Sequence, residues 1–372
     1  MQNDYDFAVV GGGLVGAAVA YGLGKRGLKV LMLDEGDVAK RASRGNFALV
    51  WVQSKGLGMP RYATWTRASS DHWPGFAAEL REVAGFDLAY RRPGGFHLVL
   101  SQDELERRAA SIQRLHNQDE VEPYHIEVLD GDEIRRRLPE AGPEVAGGTY
   151  CALDGDVNSL KLFRAMHAGF VRNGGSYRNG ALVDRIEAGD GGYRLVTPDG
   201  AHTADRVVLA AGLDNPRLGA MVGLDVPVRP LRGQVIVTEK TAPFLDMPLS
   251  TIRQTDEGGV MIGDSQEEAD DHDVMRPGIN AVMADRAVRM FPRLGRLNVV
   301  RTWSALRVYS RDGFPIYEES PSHPGAYVVT CHSGVTLAAA HSQILAGKLA
   351  DGGLTSDFDD FSARRFHVSA AS

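Results

Sequence analysis

An α/β fold is predicted, in which a Rossmann-like domain is assembled from separated stretches of chain and an α+β domain built on a mixed, mainly antiparallel sheet is inserted between them. Three observations carry this. The apolar run Tyr5-Asp6-Phe7-Ala8-Val9-Val10 leads into Gly11-Gly12-Gly13 and then into helix-forming sequence. A second apolar run, Leu28-Lys29-Val30-Leu31-Met32-Leu33, ends on Asp34. Two later buried strands, at 206–212 and 326–330, are separated by the alternating stretches 226–238 and 258–263.

Gly11, Gly13 and Gly16 have the G-x-G-x-x-G spacing of a strand-turn-helix that grips a dinucleotide pyrophosphate: one glycine for the turn, one for backbone approach, one for helix-strand packing. The helix N-terminus supplies N–H groups and positive dipole. The letters alone are weak, because a plain turn satisfies them. Context strengthens them: residues 17–26 continue as a helix closed by Gly27, and Asp34 lies 18 residues past Gly16, where a carboxylate accepts from a ribose hydroxyl. An acidic residue there disfavours a 2′-phosphate, so FAD or NAD is favoured over NADP. A solvated Asp at a strand end is the plain alternative.

The polar loop 42–48 follows and is placed to return along the cofactor, although such loops often only connect. Residues 61–84 read as an amphipathic helix or a pair, broken near Pro74 and Gly75. After Gly94-Gly95, residues 96–100 alternate as a strand of a second sheet. The arginine-laced segment 101–117 reads as a helix with a solvated face. A turn at 154–159 opens a helix with apolar positions Leu160, Phe163, Phe170 and Val171, closed by Gly174-Gly175. Ala181-Leu182-Val183, a hairpin around 189–192 and the run 206–212 form a meander feeding a buried strand. Residues 226–238, 258–263 and a helix over 279–290 make the second domain. The chain returns through Trp303-Ser304-Ala305-Leu306-Arg307-Val308, the turn 311–315 and the strand 326–330, and residues 331–335 open a last helix over 336–349.

At 372 residues the chain exceeds the single-core limit of about 250–300, so two domains are expected. The expected limits are 1–84, 146–215 and 303–363 for the split domain, and 85–145 and 216–302 for the inserted one. Hydrophobic content of 43% and charged content of 24% are those of a globular chain, and no run approaches a membrane span. The first strand begins almost at once, leaving no room for a signal peptide, so a cytoplasmic location is expected. The balance 41 − 48 = −7 argues against a nucleic-acid partner. Cys151 and Cys331 are the only cysteines, which suits a reducing compartment and cannot supply the four ligands of an iron–sulfur cluster. No metal site is expected.

In this order, the glycine loop with Asp34, Ser43-Arg44-Gly45-Asn46, residues 207–212, Arg232-Gly233-Gln234, residues 303–307 with Asp312-Gly313-Phe314-Pro315, and His332-Ser333-Gly334 resemble the D-amino-acid oxidase, glycine oxidase and sarcosine oxidase family of FAD-dependent oxidoreductases over nearly the whole chain. The stretches 44–53 and 332–337 are similar to the β subunits of opine (octopine or nopaline) and D-hydroxyproline dehydrogenases and to the hydrogen cyanide synthase subunit. Two departures stand out. The family commonly has Gly-Leu-Arg-Pro where this chain has Ala305-Leu306-Arg307-Val308, and Cys331 is not placed like the flavin-linking cysteine of monomeric sarcosine oxidases, so non-covalent FAD is expected.

The resemblance implies an FAD-binding split domain and oxidation of a C–N bond by hydride transfer to the flavin, giving an imine that hydrolyses. Arg307 matches the family's carboxylate-binding arginine, whose planar fork would hold a substrate acid by two charge-assisted bonds; a surface or intersheet arginine fits the same place. His332 is the titratable candidate near the flavin, with a structural histidine as the alternative. Lys55 and Trp51 are candidates for the substrate side. Cofactor contacts are expected from Gly11, Gly13, Leu14, Val15, Gly16, Asp34, Glu35, Ser43, Arg44, Asn46, Phe47, Ala48, Val183, Ala211, Gly212, Gly334, Val335 and Thr336. The subgroup implies a partner subunit carrying an iron–sulfur cluster or another electron carrier. A stand-alone oxidase releasing peroxide, an NAD-dependent dehydrogenase and a flavin-bearing scaffold are the alternatives.

Overall fold

The computed structural model describes residues 3–36, 42–122, 124–189, 191–263, 265–269 and 274–367. Among these the largest sheet has eight strands: β1 (Tyr5–Val10), β2 (Val30–Asp34), β8 (Ser176–Asn179), β9 (Arg185–Gly189), β10 (Gly192–Thr197), β11 (Gly200–Leu209), β17 (Ile316–Glu319) and β18 (Ala326–Thr330). Its parallel centre runs β8-β2-β1-β11-β18, with β17 antiparallel at one edge and the β9–β10 hairpin carried on β11. These strands are apolar in unbroken runs because both faces are covered. Phe7, Val9, Val30, Met32, Val208 and Val329 pack towards the helices, whereas Ala8, Val10, Leu31, Leu33, Leu209 and Val328 alternate into a second core on the other face.

The helical side holds α1 (Leu14–Gly24), α3 (Pro60–Ala84), α6 (Ser159–Arg172) and the last helix; the short α2 (Ala42–Gly45) lies between α1 and α3 in the chain. A Cβ at Gly22 of α1 would sit 2.4 Å from Ser342 O, so only glycine lets α1 and the last helix approach this closely. α3 is continuous through Pro74, against the expected break. Pro74 has no N–H to offer the Ser70 carbonyl one turn back, and Arg92 Nη1 donates to that carbonyl at 3.3 Å instead. In α6 the buried residues are Leu162, Ala165, Met166, Gly169 and Phe170, while Leu160 and Val171, expected on the apolar face, are exposed.

The second domain has two antiparallel sheets rather than one mixed sheet. The five-stranded sheet contains β12 (Val228–Lys240), β13 (Ile252–Gln254), β14 (Gly259–Ile262), β15 (Glu267–Glu268) and β16 (Val299–Ser310), with α8 (Pro277–Met290) packed on it. The three-stranded sheet is β4 (Gly95–Val99), β6 (Gly147–Cys151) and β5 (Glu127–Asp130), flanked by α4 (Gln102–His116) and α5 (Gly131–Arg137). A single parallel bridge, Phe96 to Leu249, joins them. A two-stranded ribbon pairs β3 (Leu49–Val50) with β7 (Gly155–Asp156), and α7 (Asn215–Ala220) follows β11.

β6 pairs with β4 and β5, and β16 pairs with β12 along its length, so the expected limits at 146 and 303 give way to crossings after Cys151 and after Ser310. The chain therefore passes between the large sheet with its helices and the antiparallel sheets four times: at 84–95, 151–159, 209–228 and 310–316.

Two smaller expectations change, and one falls partly outside the described residues. Residues 181–183 are loop: Gly180 turns the chain at φ 78°, and after Ala181 N donates to Asp34 O at the end of β2, at 2.8 Å, the chain leaves the sheet. Asp190 of the expected hairpin turn lies outside the described residues. The last helix is Ala338–Ala340, a π turn over His341–Leu345, then Ala346–Ala350. The wider turn frees the Ser342 and Gln343 carbonyls, and Arg26 donates to them at 3.2 and 2.8 Å.

Candidate active site

One cavity of ≈ 1000 Å³ opens at the C-terminal ends of β1 and β2, the usual ligand edge of a parallel sheet, and extends to the face of β12 and β16. Gly11 has φ 105°, and a Cβ there would lie 2.4 Å from Ala210 O; at Gly16 it would lie 1.8 Å from Gly11 O. These two glycines let β1, β11 and α1 meet. Gly16 itself does not line the cavity. Asp34 Oδ2 accepts from Gly12 N at 2.7 Å and Oδ1 from Gly36 N at 2.9 Å, so this carboxylate holds the glycine loop. Each oxygen retains acceptor capacity for a further donor. Ser43 Oγ accepts from Leu14 N at 2.9 Å, at the first turn of α1. Val15, Glu35, Arg44, Ala211 and Gly212 also line this part. Val183 does not: its side chain is buried in the core, its carbonyl accepts from Arg217 Nη2 at 2.8 Å, and its neighbours Leu182 and Asp184 face the cavity.

The loop 43–51 forms a second wall. Asn46 Nδ2 donates to Ser43 O at 2.6 Å, and Asn46 Oδ1 is buried with no partner among the described residues. Phe47 O accepts from Arg253 Nε at 2.7 Å, and Arg253 is paired in turn with Asp156 at 3.4 Å, both nearly fully buried. Ala48 sits at φ 68°, an uncommon conformation for a residue with a Cβ, kept by this pinning on both sides. Thr336 Oγ1 donates to Leu49 O and accepts from Trp51 N, both at 3.1 Å, tying the loop to the segment 331–336. Gly334, Val335 and Thr336 all line the cavity.

The third wall joins Arg307 of β16 to His332, which follows β18, and to Trp51 and Lys55 of the loop after β3. Arg307 Nη1 donates to Ser265 O at 2.8 Å and Arg232 O at 3.4 Å, which aims the guanidinium across β12. A Cβ at Gly233 would lie 2.2 Å from Arg307 Nη2, so Gly233 is the saddle on which the arginine rests. His332 stacks on Tyr309, centroids 5.4 Å apart and planes at 12°. Burial first, then the Lys55 and Arg307 cations, hold its imidazole well below the usual range, so it is neutral.

Sequence reading missed several residues. His97 of β4 lines the cavity with Nδ1 3.0 Å from Ser250 Oγ, and burial pushes it down to about 3. A polar residue inside an alternating apolar strand was its only signal. His167 Nε2 donates to Gly12 O at 2.8 Å, bracing the glycine loop from α6. Arg108, expected on a solvated face, instead reaches Gln53 Oε1 at 2.8 Å and Thr149 Oγ1 at 3.1 Å.

The donor set fits a dinucleotide: a glycine turn opening a helix, a carboxylate at the end of β2, and an orphaned buried oxygen on Asn46. The family model described as FAD dependent oxidoreductase matches residues 6–348. The chain belongs to this family. An opine oxidase subunit of Agrobacterium tumefaciens (strain Ach5) is 47% identical over 368 residues, covering 99% of each chain. The hydrogen cyanide synthase subunit HcnC of Pseudomonas protegens is 26% identical, covering 98% of this chain and 97% of its own. Glycine oxidase from Geobacillus kaustophilus superimposes with a TM-score of 0.86 at 26% identity, covering 97% of this chain and 98% of that one. This FAD dependent oxidoreductase thus has the glycine oxidase fold, with a largely parallel cofactor sheet and an antiparallel second domain. Among the described residues no helix is long and apolar enough to cross a membrane.

Proposed function

We propose that this chain oxidises the C–N bond of an N-substituted amino acid of the opine type, as the catalytic subunit of a dehydrogenase complex whose partner carries an iron–sulfur cluster or a further electron carrier. The observation that carries the reading is the single cavity joining the glycine loop and Asp34 to Arg307 on its Gly233 saddle. Similarity to proteins named as opine oxidase subunits supports both the substrate class and the assembly.

FAD, when bound, supplies the two-electron acceptor for the hydride leaving the carbon beside the amine nitrogen. Arg307 binds the substrate carboxylate and so orients that C–H bond; the nitrogen lone pair forms the C=N bond, and water then hydrolyses the imine. Ser43, Asn46 and the first turn of α1 hold the cofactor, with Asp34 at its ribose. FAD is held without a covalent link, since burial pushes the Cys331 thiol up to about 12, leaving it protonated and a poor nucleophile. We place the protein in the cytoplasm, in keeping with its two free thiols, Cys151 and Cys331.

The test is anaerobic stopped-flow reduction of the bound flavin by amino acids, opines and the decarboxylated amine of the best substrate. Arg307→Ala should lose about 2–5 kcal/mol of transition-state stabilisation on the acid. Arg307→Lys, which keeps charge without the fork, should lose less, and FAD content should hold in both. An Ala variant that reduces its flavin like wild type, or loses equally on acid and amine, moves the carboxylate elsewhere.

A further inference from the structure

Ser333 Oγ is the joint of a chain of side chains that leads away from the cavity. It is buried, and three groups reach it: Tyr62 Oη of α3 at 2.8 Å, Lys55 Nζ at 3.1 Å and His332 Nδ1 at 3.1 Å. A hydroxyl has one proton and two lone pairs. Burial raises the Tyr62 phenol far above its ordinary range, so Tyr62 stays protonated, donates and fills one lone pair. The hydroxyl then accepts from one of its other two neighbours and donates to the other.

Two arrangements satisfy every atom. With Lys55 an ammonium, Ser333 accepts from Lys55 and donates to His332 Nδ1, and the imidazole proton sits on Nε2. With Lys55 an amine, Ser333 donates to Lys55 and accepts from Nδ1–H, which leaves a lone pair on Nε2. The charge of Lys55 and the tautomer of His332 are thus one variable. His332 lines the cavity, and its Nε2 has no hydrogen-bond partner among the described residues. Lys55 is partly exposed and follows the exposed Ser54.

We infer that His332, Ser333 and Lys55 carry the proton of the substrate ammonium out of the cavity ahead of C–N oxidation. This rests on the amine-oxidising reading above and adds a step to it, because the C=N bond forms only from a nitrogen whose lone pair is available. The ammonium proton passes to Nε2, the Nδ1 proton to Ser333 Oγ, and the hydroxyl proton to the Lys55 amine; the freed pair then makes the C=N bond as the hydride leaves. Lys55 gives its proton to water, and the imidazole regains its tautomer through water once product has left. Burial and the nearby cations keep His332 from holding a proton as imidazolium, so it hands protons on rather than storing them. Its remaining titratable neighbours are Tyr309, stacked on the ring, and the adjoining Cys331 thiol, which burial keeps protonated.

The test is anaerobic reduction of the bound flavin by the best amine, carrying hydrogen or deuterium on the oxidised carbon, over a pH range that spans the amine's own ionisation. In Ser333→Ala the limiting rate should fall about a hundredfold on the acid side. The substrate isotope effect should vanish there, because proton loss has become the slow step. Rate and isotope effect should both return on the alkaline side, where the amine enters neutral. Ser333→Thr keeps a hydroxyl and should restore most of the acid-side rate. An equal loss at every pH with the isotope effect intact would make the hydroxyl structural and overturn the relay. A second measurement needs no turnover. In protein with histidine labelled for nitrogen NMR, the signal missing from His332→Gln should change from the Nε2–H to the Nδ1–H tautomer as pH rises from neutral towards the lysine range of about 10.4, and should hold the first tautomer in Lys55→Met. One tautomer throughout in wild type overturns the inference whatever the kinetics. Failure of every amine to bleach the flavin sinks the amine-oxidising reading, and the tautomer measurement then judges the proton chain alone.

Discussion

Two demands meet on the Asp34 carboxylate: the glycine loop that it holds and the ribose expected beside it. Its place after Gly16 pointed to a ribose, and its carboxylate is found holding Gly12 N and Gly36 N. Both roles act in the same direction. Asp34→Ala should weaken FAD by the roughly 1.5–3 kcal/mol of a charge-assisted hydrogen bond, about tenfold to a hundredfold in Kd, measured by flavin fluorescence on the apoprotein; an unchanged Kd would remove Asp34 from the site. Local letters sufficed for Asp34 and the glycines because backbone geometry there is set within a few residues. Arg307 was legible only through the family pattern, since its aim depends on Gly233 and Ser265, far away in sequence. His97 was marked only by its polarity inside an apolar strand and Tyr309 not at all, because each acquires its role from a partner on another element.

At the scale of elements, the loop carrying Trp51 and Lys55 is docked on β4 and β6 through a buried carboxyl. Asp154 accepts from Val52 N at 2.5 Å and from Gln53 Nε2 at 2.6 Å, and Gln53 Nε2 also donates to Gly95 O. Burial outweighs these donors and nearby Arg108, and pushes Asp154 up to about 7 from the ordinary 3.8. A carboxyl raised on folding takes up a proton, so its contribution to stability is greatest below pH about 4 and declines as pH rises towards about 7. Urea unfolding across that window should show Asp154→Asn lacking a slope of up to about 1.4 kcal/mol per pH unit that wild type has. Parallel slopes would mean the carboxyl stays ionised in its pocket. Pro74 teaches the complementary lesson: helix-breaking letters were read correctly as chemistry, yet Arg92 on a later loop answers the orphaned carbonyl. Leu160 and Val171 failed for a similar reason, since periodicity locates an apolar stripe but not the neighbour that decides which edge of it is covered.

For the whole molecule, the proposed assembly predicts where electrons go. The chain purified with its partner subunit should reoxidise slowly with oxygen and rapidly with an artificial one-electron acceptor, measured as flavin recolouring after substrate reduction. Rapid turnover with stoichiometric peroxide from the chain alone would make it a self-sufficient oxidase. The alternation of apolar runs made the large sheet legible as a whole, whereas the division of the second domain into two sheets depends on β6 and β16 joining distant strands, which no local pattern encodes. The four passages of the chain between the large sheet and the antiparallel sheets also set a mechanical property. Swinging one lobe away from the other would require four peptide tethers to bend together, where hinged ligand binders concentrate the motion in a few residues. A molecule seated between the lobes is therefore expected to leave by movement of the wall loops rather than by the opening of a clamshell.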